Sequence, residues 1–310
     1  LIAMEYLENY KILRGKLILG EKVSGLAEAL GKFCARTAFR GSDFFMKAEE
    51  KKADVSLFQN NVELMGITES LVFTDPYFEA DRNHHTSGLD AIIKILRDDV
   101  TMKANVQHML RKFTSNCETM CHGDLHSGSI MCTDTETRVI DPEFAFYGPL
   151  GFDIGMLMSN YLMAFFSQPG HRTNEIELKE YQDWILGIID KTIQVFYQEF
   201  SYLWKNERTG ILYPRALFEN QGHDSSEALN HILKESWKDA IAICGIEMHR
   251  RCLSLAHNAD FEEITDLKVR AKLEARNLLM GRELILNAGS MTEIQTVLNM
   301  AKVFNEKDPL

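Results

Sequence analysis

Apolar positions recur at helical spacing through most of this chain and at strand spacing in only a few short places. Val23, Leu26, Ala27, Leu30, Phe33 and Cys34 mark a helix within residues 22–40. Ile92, Ile93, Leu96, Val100, Val106, Met109, Leu110 and Phe113 mark one long amphipathic helix over residues 89–113. Residues 43–52 read as a charged helix, and residues 60–90 as loop, broken by Asp75-Pro76 and by His84-His85-Thr86-Ser87-Gly88. From Pro149 onward the pattern predicts helices over residues 151–166, 175–204, 225–258, 264–287 and 291–304. Strand character is confined to Leu1 to Leu7 and to a hairpin, in which Ser129 to Cys132 and Arg138 to Ile140 flank the polar turn Thr133 to Thr137. The fold class is therefore α+β: a mainly helical lobe around one small hairpin, with no repeat and no linker after residue 20.

Composition narrows the field. The 310 residues carry a net charge of −11, so a phosphate backbone or an anionic membrane surface would repel the chain. The longest apolar run, Ile154 to Phe166, is too short to span a bilayer and contains Ser159 and Asn160. Six scattered cysteines form no CxxC pair and no zinc spacing, and they read as reduced, buried thiols of a cytoplasmic protein. The chain opens inside an apparent strand and lacks a basic segment leading into an apolar run; the opening reads as a cut, not as a signal peptide.

The hairpin carries the candidate chemistry. His122-Gly123-Asp124-Leu125-His126-Ser127-Gly128-Ser129 precedes its first strand and Asp141-Pro142-Glu143 follows its second. Three carboxylates are thereby expected at one end of it. Phosphoryl transfer needs such a set: one acid orients or deprotonates the attacking hydroxyl, and others hold Mg2+ against nucleotide phosphates. Each acid alone is ordinary turn chemistry; the ordered set is not. Pro142 fixes the backbone between Asp141 and Glu143, and in an extended segment those two side chains would share a face.

Arg250 and Arg251 fall on a helix whose apolar stripe runs through Trp237, Ile241, Cys244, Met248, Cys252 and Leu255. At about 100° per residue, Arg251 turns toward the protein and Arg250 away, unless a cleft lies on the second face. His84 and His85 read as a polar loop, His257 as a packing residue, and Trp184, Trp204 and Trp237 as core.

The HGDLH and DPE segments resemble those of the aminoglycoside-phosphotransferase-like kinases, whose fold is protein-kinase-like. The fuller strings His122 to Ile130 and Val139 to Gly155 resemble the 5-methylthioribose kinase family, as do Met4 to Glu8, Thr68 to Tyr77, Met248 to Arg251 and Leu255 to His257. The resemblance implies ATP-dependent phosphorylation of the C1 hydroxyl of 5-methylthioribose, a methionine-salvage step, in a cytoplasmic homodimer. By the same resemblance Asp124 contacts the sugar hydroxyl as the catalytic carboxylate, and Asp141 and Glu143 hold Mg2+. Asp141, Pro142 and Glu143 together meet the nucleotide, while Glu5, Tyr6 and Leu7 form a hinge whose backbone meets the adenine. Arg250 and Arg251 approach the sugar hydroxyls and the transferring phosphate. Many relatives carry a metal-binding Asn five residues after the catalytic Asp; here that place is Ser129. His122 and Asp153 are expected to brace the loop and the following helix.

A kinase of this kind also needs a phosphate-covering loop and a lysine for the α- and β-phosphates, and neither is recognisable here. The expectation is a hinge strand over residues 1–10 and a helical C-terminal lobe over residues 11–310, with the β-rich N-terminal lobe largely absent and turnover by the chain itself weak or nil. Two other readings stay open: a kinase of another small alcohol, and a binding module without activity.

Overall fold

The computed structural model describes residues 5–310. The proposed opening strand falls partly outside them; its described part, Glu5 to Leu7, has no regular structure, and Tyr6 is 85% exposed. The first strand, β1 (Lys11–Ile12), comes later and pairs with the hairpin instead. The hairpin itself forms as expected from β3 (Ile130–Cys132) and β4 (Thr137–Val139), in the antiparallel register Ile130 to Val139 and Cys132 to Thr137. A second sheet not evident from the sequence joins β2 (Thr119–Cys121) to β5 (Phe146–Gly148). These two strands enter and leave the hairpin segment, so their pairing draws its ends together.

The helices before the hairpin are α1 (Leu13–Leu19), α2 (Leu26–Arg40), α3 (Ala48–Phe58), α4 (Val62–Leu71), α5 (Asp90–Asp98) and α6 (Val100–Ser115). Several depart from the expectation: α1 lies in a stretch given no helix, and α3 runs from Ala48 to Phe58, displaced from the charged helix read over residues 43–52. Helix α4 occupies part of the predicted loop. The single helix expected over residues 89–113 is two helices, because Asp99 leaves helical geometry (ψ 93°) and its carboxylate caps α6 by accepting from Met102 N at 2.9 Å. After the hairpin come α7 (Phe152–His171), α8 (Glu175–Glu207), α9 (Ser226–Leu253), α10 (Ala259–Glu262), α11 (Leu267–Asn287) and α12 (Ile294–Glu306).

Helix α7 is the centre of the lobe. Every residue from Phe152 to Gln168 is buried, as an all-round apolar helix requires. Helices α8, α9 and α11 pack around it and α2 lies on α8. Each large apolar side chain so buried contributes about 1.5–3 kcal/mol. The polar exceptions on α7 are tied to the hairpin. Asn160 Oδ1 accepts from both the backbone N and the hydroxyl of Ser127, each at 3.2 Å, and so fixes the loop between β2 and β3 against the core.

Candidate active site

That loop is shaped by Gly123 and Asp153. Gly123 has φ +86°, and a Cβ there would lie 2.1 Å from the Phe144 carbonyl oxygen, so only glycine lets the two segments meet. Asp153, at the start of α7, accepts from His122 N at 2.7 Å and Gly123 N at 3.1 Å. The His122 ring reaches the Ile140 carbonyl at 2.8 Å. The bracing expected of His122 and Asp153 is therefore present as hydrogen bonds. Ser129 belongs to the same scaffold: it is buried, and its hydroxyl donates to the Asp124 carbonyl at 3.0 Å.

Asp124 emerges from this scaffold with 18% of its side chain exposed. Its Oδ1 faces Arg251 Nη2 at 3.1 Å and Arg250 Nη1 at 3.4 Å, and its Oδ2 faces His126 Nε2 at 3.2 Å. Burial pushes its carboxyl up, but the His126 hydrogen bond and the charges of Arg251 and Arg250 outweigh burial and hold it well below the usual carboxylate range. His126 Nδ1 faces Gly128 N at 2.8 Å and Ser129 N at 3.2 Å, so it accepts, and the ring proton lies on Nε2 toward Asp124.

Both arginines face the carboxylate, which corrects the expectation that Arg250 turns away. The stripe seen in the sequence is only part of what α9 buries: residues 239–253 are buried on every side, between α7 and α11. Leu255, assigned to that stripe, lies beyond the helix and is 53% exposed. Arg250 and Arg251 are 6% and 5% exposed and share a counter-charge. Glu247, with no exposed surface, accepts from Arg251 Nε at 2.5 Å and from Arg250 Nη1 at 3.2 Å on each oxygen. Sequence reasoning missed Glu247, although its i+3 and i+4 spacing to the two arginines is a readable helical ion-pair signal. It also gave no role to His126 and passed over Arg14, whose Nη2 lies 3.1 Å from His126 Nδ1.

Asp141, Pro142 and Glu143 leave the hairpin at the same end as the Asp124 loop, and all three are exposed. The segment is not extended, as the shared-face argument assumed. Asp141 is left-handed (φ 64°, ψ 57°), and Pro142 begins a one-turn 3-10 helix to Phe144. Asn61, at the start of α4, donates to the Glu143 carbonyl at 2.8 Å and holds this turn. Exposed carboxylate oxygens beside the Asp124 loop are a donor set that suits a hard cation such as Mg2+. Their ligand atoms do not form a tight triad with Asp124. Among the described residues the only such triad is His84, His257 and Glu262, within 4.8 Å of one another. There the two imidazoles lie face to face, 3.8 Å between centroids, and Arg270 sits 3.5 Å from His257 Nδ1 and 3.6 Å from Glu262. His257 is engaged within the protein as well, its Nε2 meeting the His84 carbonyl at 2.9 Å.

Comparison with known proteins gives one answer. Residues 13–184 match the phosphotransferase enzyme family. A methylthioribose kinase of Escherichia coli O45:K1 (strain S88 / ExPEC) is 42% identical over 304 residues, covering 98% of this chain and 73% of that protein. A methylthioribose kinase of Geobacillus sp. (strain WCH70) is 37% identical over 96% of this chain and 69% of its own length. Methylthioribose kinase 1 of Oryza sativa subsp. japonica is 34% identical over 98% and 72% respectively. With identities of this size over nearly its whole length, the chain belongs to the methylthioribose kinase family, within the phosphotransferase enzyme family.

Proposed function

We propose that the protein transfers the γ-phosphoryl group of ATP to the C1 hydroxyl of 5-methylthioribose, giving 5-methylthioribose 1-phosphate and ADP. The observation that carries this reading is the Asp124 carboxylate, partly exposed and gripped by His126 and two buried arginines in a chain of this family. The sugar oxygen bonds to the γ-phosphorus as the bond from that phosphorus to the ADP oxygen breaks, and the hydroxyl proton leaves toward Asp124. A carboxylate held this acidic is a weak base, so Asp124 chiefly orients the hydroxyl and takes its proton late, as a loose transition state permits. Arg250 and Arg251 neutralise charge on the equatorial oxygens. Asp141 and Glu143 hold Mg2+, which supplies charge neutralisation at the nucleotide phosphates, and Pro142 lines the nucleotide side with them. Glu5, Tyr6 and Leu7 meet the adenine through their backbone. Tyr10, just beyond, donates to Glu136 on the hairpin turn and anchors the segment there.

In this reading residues 1–10 are the hinge and residues 11–310 the helical C-terminal lobe of a kinase. Six free cysteines, five of them buried, suit a reducing, cytoplasmic setting. No helix among the described residues is long and apolar enough to cross a membrane. A homodimer is the assembly expected by family resemblance.

The test is a coupled ADP-release assay with MgATP and 5-methylthioribose on the chain joined to the N-terminal lobe of a methylthioribose kinase relative, with Asp124→Asn run beside the wild type. Turnover that falls by about 100- to 10,000-fold in the variant supports both the reaction and the role of Asp124. Turnover with a different small alcohol alone would keep the kinase and discard this substrate.

A further inference from the structure

The reaction as read above gives no part to Asp260 or Arg14. Asp260, on α10, has no exposed surface, and neither of its carboxylate oxygens accepts a hydrogen bond. Burial pushes it up to about 6, and Arg14 opposes that rise. The one cation within 4.0 Å of it, among the described residues, is Arg14, with Nε 3.7 Å from Oδ2. Arg14 lies in the first turn of α1 and directs its donors away from that acid into the Asp124 loop. Nε donates to Ser127 Oγ at 3.1 Å and Nη2 reaches His126 Nδ1 at 3.1 Å. The result is a continuous line of groups, Asp260 to Arg14 to His126 to Asp124, contributed by three parts of the chain distant in sequence.

We propose that Arg14, seated over Asp260, is a positioning residue for phosphoryl transfer, holding His126 so that Nε2–H is presented to the Asp124 carboxylate. The proposal rests on the kinase reading above. Arg14 reaches Asp124 only through the imidazole. The backbone N–H groups of Gly128 and Ser129 already make Nδ1 an acceptor; Arg14 adds a fixed positive charge there, which polarises the ring and strengthens donation from Nε2. Arg14 also feels the like charge of Arg251. The buried Asp260 carboxylate supplies the counter-charge that lets a third guanidinium approach this loop.

The experiment compares the full chain, joined to the N-terminal lobe of a methylthioribose kinase relative, with its Arg14→Ala, Arg14→Lys, Asp260→Asn and Arg14→Ala/Asp260→Asn variants. Arg14→Ala is expected to lower kcat by about ten- to a hundredfold while KM for 5-methylthioribose stays within about threefold, because the lost interaction is remote from the sugar. Methylguanidine added to Arg14→Ala restores part of kcat, and Arg14→Lys, with one point charge for a fork, restores less than half. The double variant is no slower than Arg14→Ala, since Asp260 acts through Arg14. Independently of turnover, the 15N resonance of His126 Nδ1 shifts in Arg14→Ala and returns with methylguanidine. Should Ala not fold, Arg14→Gln takes its place. An unmoved Nδ1 resonance, an unchanged kcat in folded variant, or fully additive losses would overturn the proposal. No turnover on 5-methylthioribose even with the N-terminal lobe of a methylthioribose kinase relative joined to the chain would discard the kinase reading, and the resonance would still decide whether Arg14 acts on His126.

Discussion

Glu247 is where charge at the site is settled. Two guanidinium groups within hydrogen-bonding reach of one carboxylate would repel each other and overcharge Asp124; a second carboxylate, wholly buried, divides them. Gln at this position keeps the shape and one acceptor oxygen, turns an amide donor toward the arginine donors, and leaves one negative charge for two positive ones. Glu247→Gln is therefore expected to lower kcat by about ten- to a hundredfold and also to lower the melting temperature, with steady-state kinetics on the folded fraction separating the two effects. At this scale the sequence was informative about residue types and silent about their partners. Asp124, Arg250 and Arg251 stand in strings specific enough to read. His126 stood in the same string without a role, because its use depends on which ring nitrogen the loop backbone faces. Arg14 is 113 positions from Ser127, and no local pattern links them.

Most helices were legible from their apolar spacing, including α7, which is apolar all round. Helix α4 was not, because it buries only Thr68 and Leu71 and shows no stripe. The break at Asp99 was hidden because Val100 continues the apolar spacing from Leu96, although in the fold Val100 is 76% exposed. Helix α9 was legible as a helix, but the stripe from Trp237 to Cys252 understates it, because its second half is buried all round. Its closeness to α11 depends on two glycines facing each other. A Cβ on Gly245 would come within 2.4 Å of the Gly281 carbonyl oxygen. Gly245→Ala must push the helices apart, and is expected to cost about 1–3 kcal/mol in urea unfolding and to lower kcat as well, since Glu247 and both arginines follow within two turns. Gly187→Ala on α8, exposed with nothing within 4 Å of the added Cβ, is the control and is expected to stabilise by about 0.5–1 kcal/mol.

For the molecule as a whole, buried titratable groups set how stability varies with pH. His249 has no exposed surface, and burial pulls it down to about 4; His257 is likewise held at about 4, again chiefly by burial. Above pH 6.5 each is neutral in both states. As pH falls from about 6.5 to 4 the unfolded chain takes up protons that the fold refuses, and stability falls by up to about 3 kcal/mol for His249. Asp260, raised from 3.8 to about 6, works in the other direction: the fold binds its proton more tightly, so stability rises as pH drops through 6. Urea unfolding between pH 4.5 and 8 should show net acid destabilisation, flatter in His249→Gln and steeper in Asp260→Asn. None of these shifts could be read from the sequence, because each comes from burial among elements far apart in the chain. The same packing encloses five thiols: Cys34 on α2, Cys121 and Cys132 on either side of the Asp124 loop, and Cys244 and Cys252 around the arginines; Cys117 is only half-buried. Burial raises all five away from the reactive thiolate form. In an alkylation time course one cysteine per chain should therefore label promptly. The other five act as internal clocks, each reporting how often its own part of the lobe opens to solvent.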